Sequence, residues 1–108
     1  MKWTIDFYDE EVRESIHTWP KKIRLKFLWI TDLIKKVGPS EIGMPHIEPF
    51  GQGLFEIRAK AEEGIGRAFF CIRGGKVVIV LNGFIKKSQK TPPKEIALAR
   101  KRMKEIKK

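Results

Sequence analysis

Between residues 54 and 82 the chain alternates extended apolar segments with turns too short for anything but hairpins. Phe55, Ile57 and Ala59 alternate with Glu56, Arg58 and Lys60, the period of a half-buried strand. Glu62-Glu63-Gly64 makes a turn, and a further strand covers about Gly66 to Arg73. Gly74-Gly75 follows, a hairpin signal because tight β-turns demand positive φ. Val77 to Leu81 is an unbroken aliphatic run, which suits a strand buried on both faces, and Asn82-Gly83 ends or bulges it. Three strands joined this way form a meander, and the rest of the chain must cover it.

Upstream, Trp3, Ile5 and Phe7 alternate with Thr4, Asp6 and Tyr8 as another strand. Asp9 is placed to cap a short helix with Glu10 and Glu11 in its first turn and an apolar stripe of Val12, Ile16 and Trp19. Pro20 opens a second helix, whose stripe is Ile23, Phe27, Ile30, Ile34 and Val37. Gly38-Pro39 stops it. The two helices read as a hairpin. Residues 38–53, rich in Gly and Pro, read as a loop. Thr91-Pro92-Pro93 caps a last helix with a stripe of Ile96, Ala99, Met103 and Ile106. The expected order is β-α-α-β-β-β-α, an α+β fold in a single domain over residues 1–108.

Charge narrows the function. The net charge is +10, and it is unevenly placed. Residues 1–53 balance eight Lys/Arg against eight Asp/Glu, whereas residues 54–108 carry fifteen against five. Such a surplus favours a polyanionic partner: nucleic acid, an acidic protein or an anionic membrane surface. One cysteine excludes an internal disulfide framework, and with two histidines it argues against structural zinc. No long apolar run and no leader pattern follow Met1-Lys2-Trp3, so a cytoplasmic location is expected. Cys71 lies in an apolar strand and reads as a buried, inert thiol. Trp3, Trp19 and Trp29 read mainly as packing residues. His17 and His46 read as surface or half-buried side chains.

No nucleophile elbow, phosphate-binding glycine loop or metal cluster stands in the sequence. What remains is cationic. Arg58 has the strand parity opposite to Phe55 and Ile57, Arg67 opens the next strand, and Lys86 and Lys87 follow the last one. On a meander these groups can converge on one face and clamp a phosphate. The alternative is a solvated sheet face with Arg58 paired to Glu56 or Glu63. One of Phe69 and Phe70 must share that face. Glu48 precedes the strands, and by itself reads as an exposed loop acid. On the last helix, Arg100, Lys101, Arg102, Lys104 and Lys107 occupy much of the surface outside the apolar stripe, a solvated face or a polyanion contact.

Three segments carry a family resemblance: Phe50-Gly51-Gln52-Gly53-Leu54-Phe55-Glu56-Ile57-Arg58, then Gly66-Arg67-Ala68-Phe69-Phe70, then Asn82-Gly83-Phe84-Ile85-Lys86-Lys87-Ser88-Gln89-Lys90-Thr91-Pro92. Together they resemble the RelE/ParE toxin superfamily, and most of all its phage-derived HigB-like branch, over about residue 3 to the C-terminus. The resemblance implies a RelE-like fold, a small, mostly antiparallel sheet packed by an N-terminal helical hairpin and a C-terminal helix. It implies the toxin of a type II toxin–antitoxin pair that cuts mRNA on the ribosome without a metal or other cofactor, the ribose 2′-OH attacking the neighbouring phosphate. Arg58 and Arg67 match the family's phosphate-binding and transition-state positions. Lys87, with Lys86, matches the strand end that supplies a further catalytic or acid group. Glu48 in Glu48-Pro49-Phe50 resembles the general base of the YoeB branch. Two departures stand out: Phe69 and Phe70 occur where several relatives have a tyrosine, and lysine ends the last strand where some have histidine or tyrosine. The general acid is therefore Lys86, Lys87 or a group of the ribosome. Arg100, Lys101, Lys104 and Lys90 are the expected ribosomal RNA contacts. The expected partners are a cognate antitoxin, often of helix-turn-helix type in this branch, the ribosome and mRNA.

Two rival readings share the fold: a ParE-like inhibitor of DNA gyrase that acts by binding, and a non-catalytic nucleic-acid-binding phage remnant.

Overall fold

A computed structural model describes residues 2–86 and 90–106. The elements run β1 (Thr4–Phe7), α1 (Glu10–His17), α2 (Lys21–Val37), a 3-10 turn (Pro39–Glu41), β2 (Ile47–Gly51), β3 (Leu54–Ala61), β4 (Gly64–Arg73), β5 (Val77–Lys86) and α3 (Pro93–Ile106). One five-stranded sheet has the order β1-β5-β4-β3-β2. Only the β1–β5 pairing is parallel; the others are antiparallel.

This is the α+β fold expected, with one more strand. Residues 38–53, expected as a loop, contain the 3-10 turn and β2. The sequence hides β2 because Pro49 and Gly51 interrupt it. Proline is tolerated there since β2 is an edge strand, which leaves one row of backbone groups unpaired.

Local signals place the helices. The Asp9 carboxylate accepts the Val12 amide at 2.9 Å and starts α1. Pro20 is the cap residue of α2, and Gly38, at φ 84°, ends it. On β5, Val78 and Val80 face α1 and α2 while Ile79 and Leu81 face α3, so the aliphatic run is packed on both sides. Asn82-Gly83 does not end this strand. Phe69 pairs with Asn82 and Phe70 with Val80, so Leu81 is the extra residue of a bulge, and β5 continues to Lys86.

The first core layer joins Val12, Ile16, Trp19, Ile23, Phe27, Ile30 and Ile34 to Ile57, Ala68 and Phe70. The helices sit very close to the sheet here. A Cβ on Gly66 would lie 2.6 Å from Ile23 and Trp19, and one on Gly83 would lie 2.9 Å from Ile16. The second layer, under α3, is smaller: Leu54, Phe69, Cys71, Leu81, Ala99 and Met103. Two expectations are corrected. Val37 and Trp29 are 49% and 47% exposed, because Val37 is the last residue of α2 and Trp29 lies off its buried stripe of Ile23, Phe27, Ile30 and Ile34. No helix of the described residues is long and apolar enough to cross a membrane.

Candidate functional site

On one face of the sheet α3 packs over Leu54, Phe69 and Leu81. The period-two alternation of each strand decides which side chains fill that face beyond α3. On β3, Leu54 packs under α3, so Glu56 and Arg58 share its face. On β4, Phe69 packs there, so Arg67 does too. On β5, Phe84 marks the same face for Lys86. On β2, Ile47 faces the other core, so Glu48 turns toward this one. Register finishes the assembly: Arg58 sits opposite Arg67, Glu48 opposite Glu56, and Ile65 opposite Lys86.

Three cations and two carboxylates thus occupy one patch. Arg67 Nη1 donates to Glu56 Oε1 at 2.6 Å, and both side chains are buried. Arg58 Nη1 donates to Glu48 Oε1 at 3.3 Å in a half-exposed pair. The pairing differs from the expectation that Arg58 bonds Glu56 or Glu63. Antiparallel pairing brings Glu48 on β2 beside Arg58, and Glu56 is taken by Arg67 from the other side. Lys86 is buried at the end of β5. Phe69, rather than Phe70, shares this face, and its ring lies 5.1 Å from Phe50 and 6.0 Å from Phe84, an aromatic border between the charges and the α3 core. Phe70 stacks on Phe55 on the opposite side.

The electrostatics follow from burial and like charge. Burial pushes the Glu56 carboxyl up, against the pull of Arg67. Burial, and then the Arg67 and Arg58 charges, hold Lys86 below the usual lysine value. Among the described residues, Arg67 Nε and Glu56 Oε2 are buried without a hydrogen-bond partner.

The candidate residues divide as follows. Glu48, Arg58, Arg67 and Lys86 are brought together. Lys87 lies outside the described residues. Lys90 precedes α3 and is exposed. Lys101 and Lys104 are exposed on α3, flanking a shallow depression with Ala97 and Arg100. Arg100 is partly structural, donating to the Phe50 carbonyl at 2.9 Å and so tying α3 to β2. Arg102 also turns inward, donating to the Leu81 carbonyl at 2.6 Å and lying over the Tyr8 ring.

Sequence reasoning missed Glu56 as a member of the site. The signal was its parity, since it alternates onto the face of Arg58, but an acid there looked like a solvated partner. Among the described residues no group of three His, Cys, Asp or Glu is placed to hold a metal ion.

The model of the family described as "Phage derived protein Gp49-like (DUF891)" matches residues 14–104. No curated protein matches the chain. The match runs from α1 through all four candidate residues into the last turn of α3. The chain belongs to this family, a RelE/toxin-like family of the toxin–antitoxin kind.

Proposed function

We propose that this Gp49-like chain is the toxin of a type II toxin–antitoxin pair, one HigB-like domain over residues 1–108 that cleaves mRNA on the ribosome. The observation that carries this reading is the Arg58, Arg67 and Lys86 cluster, set beside two carboxylates on the sheet face beyond α3.

The cluster suits phosphoryl transfer. Arg67, held by Glu56, and Arg58 bind the scissile phosphate and stabilise the charge that accumulates on its oxygens. Glu48 takes the proton from the ribose 2′-OH. The 2′-oxygen bonds to phosphorus, the P–O5′ bond breaks, and a 2′,3′-cyclic phosphate and a 5′-oxygen result. Lys86 gives its proton to that leaving oxygen, a role eased by its lowered pKa. These side chains supply both proton transfers and the charge stabilisation. Lys87, next along the chain, is the second candidate donor.

Lys101, Lys104 and Lys90, with the outer part of Arg100, contact ribosomal RNA. The antitoxin is of helix-turn-helix type, and an acidic segment of it is drawn to the +10 charge. The site of action is the cytoplasm.

The test is inducible expression of wild type and Arg67→Ala, with growth followed and mRNA 5′ ends mapped in the same cultures. Cuts within translated codons, absent in the folded mutant, are expected. Growth arrest with intact mRNA overturns the ribonuclease and points to gyrase. Equal toxicity of the mutant removes Arg67 from the mechanism.

A further inference from the structure

A second basic feature adjoins the charged patch at the edge of the sheet. β2 begins at Ile47, paired with Ile57, so β3 runs on beyond it through Arg58 and Lys60. Here α2, the segment before β2, and the β3–β4 hairpin enclose a cavity of about 310 Å³ lined by Lys26, Pro45, His46, Arg58, Lys60 and Ile65. Among the described residues no carboxylate lines it. Its wall is fixed by the backbone, since the Arg58 amide donates to the His46 carbonyl at 2.8 Å.

The lining has two halves. Lys26, Lys60 and Arg58 supply positive charge. His46 supplies aromatic surface, and Trp29, behind it rather than in the lining, packs on it with ring centroids 5.2 Å apart and edge to face. Lys26 lies 4.5 Å over the same indole. Burial, then the Lys26 charge, lowers the His46 pKa, so the ring is mainly neutral at pH 7 and adds aromatic surface without charge. Trp29 is 47% exposed, although a large aromatic on a two-layer fold usually packs inward. Charge for a phosphate beside a ring for a base is the chemistry of single-stranded nucleic-acid recognition. The volume suits one small ligand.

Arg58 belongs both to this wall and to the charged patch. We infer that the cavity holds the nucleotide adjoining the scissile phosphate of a single-stranded RNA, its phosphate between Lys26 and Lys60 and its base against His46. This rests on the ribonuclease reading for the identity of the strand, and adds a specificity subsite to it. A strand lying across Arg67 and Arg58 continues into the cavity, so the base there is read by its fit against the His46 ring.

The test uses the purified full chain and a non-cleavable probe, a 2′-O-methyl RNA trinucleotide, with the matching dinucleotide as reference. Binding is followed by NMR up to millimolar probe at several salt concentrations. The trinucleotide is expected to shift the His46 and Trp29 ring signals and to bind about tenfold more tightly than the dinucleotide, the scale of one or two charge-assisted hydrogen bonds. Lys26→Gln with Lys60→Gln, both surface changes, removes that advantage and lowers the salt slope by about two. Equal binding of the two probes, unmoved ring signals, no binding, or an undiminished trinucleotide advantage in the double variant each overturns the subsite. Failure of the ribonuclease reading is scored separately by intact mRNA on expression. Cleaved mRNA with no contribution from Lys26 and Lys60 removes the subsite alone; intact mRNA with cavity-dependent binding removes the ribonuclease and keeps the subsite.

Discussion

Arg67 and Glu56 form a buried ion pair, Nη1 to Oε1 at 2.6 Å, beside the α3 core. Burying either ion alone would be costly, and Arg67 stays charged whether or not it is paired. Glu56 therefore holds the Arg67 guanidinium in place.

Glu56→Ala leaves the Arg67 charge buried without its carboxylate. The chain is expected to lose about 3 kcal/mol of stability, read by urea unfolding. A change below about 0.5 kcal/mol would show that the pair contributes nothing net, as in exposed ion pairs.

Lys86 makes stability depend on pH. Its pKa is lowered on folding by burial and by Arg67, so below the ordinary value of 10.5 the unfolded chain binds more protons than the folded one. Unfolding free energy then rises with pH as the medium approaches 10.5, and the contribution is lost as pH falls through the folded pKa. Lys86→Met is expected to remove this rise in denaturation curves taken from neutral to alkaline pH. An unchanged rise in the variant would assign it to another group.

Gly66 is where the sheet meets α2 and the turn that leads into it. A Cβ would lie 2.6 Å from Ile23 and Trp19, so Gly66→Ala pushes α2 and Trp19 off the sheet. The expected loss is about 1–3 kcal/mol, measured as a lower thermal midpoint. An unaltered midpoint would mean that Trp19 swings aside without strain.

Lys101 and Lys104 are exposed on α3, away from the tie that Arg100 makes to β2. Replacing both with Glu is expected to weaken ribosome association in sedimentation while shifting stability by no more than about 0.5 kcal/mol. Association equal to wild type would leave this helix face solvated only.

Much was legible in the sequence because its causes are local. The Gly74-Gly75 hairpin has both residues at positive φ, the conformation that made the pair a turn signal. The Asp9 cap, the Gly38 stop and the Ile23, Phe27, Ile30 and Ile34 stripe each depend on residues within a turn or two of one another. Parity on β3 and β4 was enough to put Arg58 and Arg67 on one side of the sheet. The resemblance to RelE/ParE toxins led to the same elements and named Glu48 and Lys86 with them.

Tertiary structure decided the rest, through contacts between residues far apart in the chain. Strand β2 exists because β3 offers it an edge, and no propensity in Ile47–Gly51 announces it. The bulge at Leu81 is set by the pairing with β4, and it carries β5 on to Lys86. Which acid serves which arginine depends on strand order: β2 delivers Glu48 to Arg58, and β4 delivers Arg67 to Glu56. Periodicity assigns a side chain to a face, because alternation is a property of one strand. Partner and burial are properties of the strands and helices that pack beside it, and only the folded chain brings those together.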